Sequence, residues 1–172
     1  MSKFAVVTSK EEIRAFVRRV RANCDGCDGE TIRVALVPTM GSLHDGHLAL
    51  IRKAKSVAEC VICSIYVNQT QFGPSEDFAS YPRDLQGDIA KLRENGCCCV
   101  FAPTDMYDGN TGVGGGYGEG NQTWVTVERL QTSLCGKSRP IFFRGVATVV
   151  AKLFNIVQPD IAVSVYNSKS VK

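Results

Sequence analysis

The 172-residue sequence has no apolar run approaching the roughly 20 residues that a membrane-spanning helix needs. Its first residues, MSKFAVVTSKEEIRAF, turn acidic too soon for a secretory signal. No membrane partner is expected, and the expected compartment is the cytoplasm. Net charge is also small: 20 basic and 17 acidic residues are interspersed, leaving +3, which argues against a nucleic-acid surface. No G-x-x-x-x-G-K-[ST] pattern occurs, so any ATP chemistry must use another device. Histidine is scarce, with only His44 and His47, both inside the stretch VPTMGSLHDGHLAL.

What is present fits a globular chain, with 44% hydrophobic and 22% charged residues. A chain of this length buries roughly two-thirds of its unfolded surface, so disulfides are not needed for stability. The 8 cysteines include Cys24-x-x-Cys27 and Cys60-x-x-Cys63, a spacing that superficially suggests zinc. CVICSIYV, however, is apolar and β-branched, hence a buried strand in which residues three apart face opposite sides. CCCVF likewise reads as a core strand with cysteine acting as a small hydrophobe. Reduced thiols are expected, and no metal ligands are assigned.

A helix is predicted from about Ser9 to Arg21, with Ser9 and Glu12 as a capping box and Ile13, Phe16, Val17 and Val20 on one stripe. ETIRVALV follows as a strand. The next helix is predicted near Leu48 to Ala58, burying Leu48, Ile51, Ala54 and Ala58, and CVICSIYV is the second strand. Pro82 should open a helix carrying Leu85, Ile89 and Leu92 that Gly96 ends, before the strand CCCVFAP. Residues 109–120, GNTGVGGGYGEG, hold 7 glycines in 12 positions and are expected to be a mobile loop without a phosphate-binding pattern. TWVTV reads as a short strand, FFRGVATVVAKLFNIV as an apolar helix and PDIAVSV as a last strand. Alternating strands and helices imply an α/β fold with a mostly parallel sheet covered on both faces. Such sheets bind ligands beyond the carboxyl ends of their strands, where PTMGSLHDGH and NQTQFGPSED fall.

The two histidines sit at a strand-to-helix junction. A helix start offers unpaired N–H groups and a positive dipole end, a seat for phosphate to which imidazoles over it can donate. Side chains three apart on a helix share a face, and Gly41 and Gly46 let backbone approach a ligand closely. By itself the pair is as compatible with a structural role as with a site. Gln71 offers both a donor and an acceptor, or is a solvated loop glutamine; Asn68 reads equally as a turn former. Arg139 is read as a surface cation or structural ion pair, and Glu76 and Asp77 as local neutralising or capping groups.

Four segments taken together, PTMGSLHDGH, SIYVNQTQFGPSEDFASYPRD, LCGKSRP and FFRGVATVVAKLFNIVQPDIAV, resemble pantothenate synthetase, the pantoate:β-alanine ligase family. The resemblance runs from about Val34 to Val163 and is nearest the plant form, because bacterial members usually carry His where Phe142 stands. It implies a Rossmann-like nucleotidyltransferase fold of the H-x-G-H class. The implied reaction uses ATP and pantoate to form a pantoyl adenylate and pyrophosphate, after which the β-alanine amine displaces AMP. Magnesium with ATP and a homodimer are implied as well. Carried over residue by residue, ATP falls to Met40, Gly41, Ser42, Leu43, His44, Asp45, Gly46 and His47. His44 and His47 are the catalytic pair that contacts phosphates, and His47 is the proton donor. Pantoate falls to Gln71 and Asn68, with Pro38 and Thr39 at the pocket entrance.

Residues 1–163 are therefore expected to form the nucleotidyltransferase domain, incomplete at its C-terminal end, with 164–172 as a divergent tail. SVYNSKSVK matches none of the ATP- and pantoate-binding residues that the family carries there. The family's C-terminal domain is expected to be absent and the ligase activity impaired. An alternative is an inactive truncated isoform that pairs with full-length subunits.

Overall fold

The computed structural model describes residues 4–22, 32–73, 76, 78–107, 121, 123–129, 135–139 and 141–165. The glycine-rich segment 109–120, Asp77, and the pair Cys24 and Cys27 lie outside the described residues. The elements are β1 (Ala5–Val7), α1 (Lys10–Ala22), β2 (Val34–Thr39), α2 (Asp45–Lys55), β3 (Cys60–Ile65), α3 (Leu85–Glu94), β4 (Cys99–Phe101), α4 (Cys135–Ser138), α5 (Phe142–Val157) and β5 (Ile161–Ala162). The chain divides into two compact units. The first comprises Met1–Tyr66, Pro82–Thr104 and Phe154–Val165; the second comprises Val67–Tyr81, Asp105–Leu153 and Tyr166–Lys172.

The first unit holds a parallel sheet in the order β1-β4-β3-β2-β5. Strands β2, β3 and β4 are apolar at successive positions because both of their faces are covered, and Val34 to Val37, Cys60 to Ser64 and Cys99 to Phe101 are all buried. One face packs Ala35, Val37, Val61, Cys63 and Val100 with Ile51 and Ala54 of α2 and Ile89 and Leu92 of α3. Each fully buried aliphatic side chain of this kind contributes about 1.5–3 kcal/mol. Asp160 accepts from the Val34 N–H at 2.7 Å and from the Arg21 guanidinium at 3.1 Å, so α1 and the amino ends of β2 and β5 are tied by one carboxylate. From β2 the chain steps to β3 and β4 on one side, and β5 lies on the other. That makes the carboxyl end of β2 the switch point at which ligands of such sheets bind.

Helix α1 follows its sequence signals: Ser9 Oγ accepts from the Glu12 N–H, Glu12 accepts in return from Ser9, and Ile13, Phe16, Val17 and Val20 are buried. Strand β1, where no element is predicted from the sequence, pairs with β4, with Val6 exposed and Ala5 and Val7 half-buried. Three expectations need correction. Helix α2 begins at Asp45, not Leu48, because polar capping starts it before the apolar stripe does. Helix α3 is opened by Asp84, which accepts from the Gly87 N–H, rather than by Pro82, and Leu85 is exposed. The TWVTV segment is not a strand. It pairs with no strand among the described residues, and the Val125 N–H goes to the Thr148 hydroxyl at 3.0 Å.

Candidate active site

The Met40–His47 loop leaves the carboxyl end of β2 and enters α2. Gly41 at φ 86° and Ser42 at φ 52° are consecutive left-handed residues. That conformation is costly for serine, and it persists only where neighbours over-determine it. The over-determination comes from Asp88, a buried carboxylate on α3 that accepts from the Ser42 and Leu43 N–H groups at 2.7 Å each. Lys91 donates to the Leu43 carbonyl at 2.8 Å and closes the other side of the turn. Thr39 uses its hydroxyl locally, donating to the Ser64 carbonyl at 2.7 Å and accepting from the Gly41 N–H at 3.2 Å. Leu43 is buried, whereas Ser42, Asp45 and Gly46 are exposed and Pro38, Thr39 and Met40 half-buried.

His44 is the N-cap of α2, so the pair does not sit on one helical face as its spacing suggests. Its Nδ1 accepts from the Gly46 N–H at 3.1 Å, and Nδ1 of His47 accepts from the His44 N–H at 3.4 Å, a capping box built from two imidazoles. The ring centroids are 4.2 Å apart. Because both Nδ1 atoms accept, the neutral rings carry their proton on Nε2, which leaves two N–H donors at the positive end of the helix. Burial, and then the neighbouring His44, push the His47 imidazole below its usual range, with Asp88 opposing.

This geometry revises the expected phosphate seat. The Ser42, Leu43 and Gly46 N–H groups are already bonded to Asp88 and His44, so the rings rather than those backbone donors are the groups on offer. Both glycines are also required by the fold: a Cβ at Gly41 meets Asp88 and Ile65 at 3.1 Å, and one at Gly46 meets the His44 ring at 2.9 Å.

The second unit holds the other expected residues. Asn68 and Gln71 are both buried; Asn68 precedes and Gln71 ends a short 3-10 turn, Gln69–Gln71. The Asn68 amide donates to Gln71 Oε1 at 3.2 Å and to the Gly145 carbonyl at 3.1 Å, while its oxygen accepts from Thr70 and from Tyr107, each at 3.0 Å. Asn68 thus has both amide ends engaged and orients Gln71. Gly145 on α5 lets helix and turn touch, since a Cβ there would lie 2.7 Å from the Gln71 backbone. Arg139 forms the structural ion pair, 2.9 Å from Glu76, and covers the Phe142 ring at 4.1 Å. Glu76 caps locally, accepting from the Gly73 N–H at 2.8 Å.

Sequence reasoning does not single out Asp88, Tyr107 or Gly145. Asp88 reads as an ordinary helix-start carboxylate, and its partners stand more than 40 positions earlier. Among the described residues no group of three or more His, Cys, Asp or Glu side chains is arranged to hold a metal ion. None of their helices is long and apolar enough to cross a membrane.

The Pantoate-beta-alanine ligase family model matches residues 5–165. The pantoate–β-alanine ligase of Oryza sativa subsp. japonica is 48% identical over 175 residues, covering 92% of this chain and 54% of the relative. The crystal structure of pantothenate synthetase from Thermus thermophilus superimposes with a TM-score of 0.75 at 42% identity, over 92% of this chain and 51% of that one. The Francisella tularensis pantoate–β-alanine ligase, solved with β-γ ATP and β-alanine, gives 0.76 at 33% identity, over 93% and 56%. The chain spans about half the length of the curated relatives it matches. Because the family model matches nearly the whole chain, with the histidine loop and the Asn68–Gln71 turn inside the match, the chain belongs to the pantoate–β-alanine ligase family.

Proposed function

We propose that this chain carries the carboxylate-activating part of a pantoate:β-alanine ligase. In that reaction the pantoate carboxylate attacks the α-phosphorus of ATP, the bond to the β-phosphate breaks and pyrophosphate leaves. The β-alanine amine then attacks the pantoyl adenylate and AMP leaves, forming pantothenate. The observation that carries the reading is the imidazole capping box, which aims two Nε2–H donors outward from a helix start at the sheet's switch point.

Adenylation asks the protein to position groups and to stabilise negative charge as it spreads over the phosphates. His44 and His47 donate to phosphoryl oxygens, and His47, as the imidazolium that bound phosphates favour, supplies the proton to the leaving pyrophosphate. Met40 to Gly46 form the rest of the ATP loop. Gln71 binds pantoate through its amide, Asn68 holds that amide in place, and Pro38 and Thr39 line the entrance. Magnesium belongs to this reading as the phosphate-bound partner of ATP. With no metal-holding cluster among the described residues, no side chain is assigned to it. A cytoplasmic homodimer completes the proposal and rests on the family resemblance.

Calorimetric titration of the purified 172-residue chain with ATP and pantoate, separately and together, tests this reading. Gln71→Ala should abolish pantoate binding while leaving ATP binding intact, and His47→Ala should weaken ATP binding. A chain that binds neither ligand, or a His47→Ala variant with unchanged ATP affinity, refutes it.

A further inference from the structure

The amino edge of the sheet, away from the histidine loop, holds a thiol pair that the ligase chemistry does not use. A depression of about 290 Å³ there is lined in part by Arg33, Lys55, Glu59, Gly96 and Cys98. The Cys98 N–H donates to the Val61 carbonyl at 2.8 Å, and its sulfur lies 4.0 Å from the Glu59 carbonyl. Register pairs Ile62 with Cys99, so Cys98 stands opposite Val61 and Cys60 is its diagonal neighbour. Strands about 4.8 Å apart that rise about 3.3 Å per residue put those two Cα atoms about 5.8 Å apart. That is inside the roughly 4.4–6.8 Å that a disulfide spans.

Cys98 occupies a bend ahead of β4, outside the strict side-chain alternation of the strand, and its sulfur faces the Glu59 carbonyl, the peptide that leads into Cys60. Both are free thiols, Cys60 buried and Cys98 half-exposed. Glu59 is engaged by Arg33 at 2.6 Å, and the Lys55 ammonium lies where a Cβ on Gly96 would stand.

We propose that Cys98 is a peroxide-sensitive thiol with Cys60 as its resolving partner, so that oxidation joins β3 to the start of β4 through a reversible disulfide. The Cys98 thiolate attacks a peroxide oxygen, forming S–O as O–O breaks, and the departing hydroxide takes a proton to leave as water. The sulfur of Cys60 then attacks the resulting sulfenic acid. The S–S bond forms, S–O breaks, and the hydroxide leaves as water with the Cys60 proton. Two thiols lose two electrons and one peroxide becomes two waters.

The environment matches these roles. The hydrogen bond from Cys60, aided by the Lys55 charge, depresses the Cys98 thiol to about 6, and the same bond pushes Cys60 upward. The attacker is therefore the more acidic of the two thiols, and Cys60 gives up its proton as it attacks the sulfenic acid. Burial holds Cys97 and Cys99 at about 12 and raises Cys63 as well, so these neighbours do not compete.

The test treats the folded chain with about one equivalent of hydrogen peroxide, blocks remaining thiols with iodoacetamide and maps cysteines by fragmentation mass spectrometry. A Cys60–Cys98 link that dithiothreitol removes is expected. In Cys60→Ser, Cys98 should instead be trapped by dimedone as the sulfenic acid. Cys98 remaining a free thiol while other cysteines oxidise, or a disulfide joining any other pair, overturns the proposal. The wild-type map decides this without the variant. None of these outcomes depends on ATP or pantoate binding.

Discussion

Replacing Asp88 by asparagine keeps the shape of the side chain and removes its charge and one acceptor, which isolates what holds the histidine loop. In the native chain the buried carboxylate accepts two backbone N–H groups at 2.7 Å each. Hydrogen bonds to a charged group are worth about 1.5–3 kcal/mol each. Asparagine retains one oxygen, for Ser42 or Leu43, and turns an NH2 toward the other N–H. One such bond is lost and two donors oppose each other, so the expected cost is about 2–3 kcal/mol. Lys91, 4.0 Å from Asp88 and half-exposed, alters this little. For a urea slope of about 1–3 kcal/mol per molar, the unfolding midpoint should drop by about 1 M. The left-handed turn at Ser42, φ 52°, loses one of the two bonds that hold it, so His44 should shift and ATP affinity fall as well. Urea unfolding followed by circular dichroism, with an ATP titration of the same sample, measures both effects. A midpoint within about 0.2 M of wild type together with unchanged ATP affinity would refute the claim that Asp88 sets the loop.

Three further outcomes follow from the geometry. Gly145→Ala forces a Cβ against the backbone of Thr70 and Gln71, contacts that no side-chain rotation relieves, so pantoate binding should be lost and the thermal midpoint lowered; wild-type behaviour in both would mean that the turn is not packed on α5. Tyr107→Phe removes the hydroxyl shared by Thr70 and Asn68, costing roughly 1–2 kcal/mol in chemical unfolding and loosening Gln71, which a weaker pantoate titration should register. For His47, whose folded value is depressed, the unfolded chain binds more protons in the window just below 6.5. Its contribution to stability is therefore full above that window and is lost as pH falls through it. An NMR titration should give His47 a midpoint below 6.5, and pyrophosphate should raise it, because phosphate favours the imidazolium. A midpoint at or above 6.5 without ligand contradicts the burial of the His47 ring beside His44.

Signals that act within a turn or along one strand are legible in the sequence. The Ser9–Glu12 box and the α1 stripe depend on neighbours three and four residues apart, and β2 and β3 declare themselves by unbroken apolar runs. Strand β1 does not, since its three residues become a strand only by pairing with β4 from far along the chain. TWVTV errs in the other direction, with strand residue types and no strand partner among the described residues. The start of α2 is misread for a related reason: apolar periodicity begins at Leu48, but histidine side chains capping the backbone begin the helix earlier.

For the candidate site, the histidine pair, Asn68 and Gln71 are drawn out by the motif resemblance, which also names the family to which the chain belongs. Their states are decided elsewhere. The left-handed turn at Ser42 depends on a carboxylate on α3, and Gln71 is oriented through Asn68 by Tyr107 and Gly145. The sequence by itself determined the α/β alternation, the parallel sheet and the motif residues, because periodicity, capping and motif spacing are local or nearly so. Tertiary structure decided which imidazole nitrogens accept, the acceptor beneath their loop and the adjacency of Cys98 to the start of β3. Hydrogen-bond partners and burial are properties of chain segments brought together in space, and no spacing along the chain encodes them.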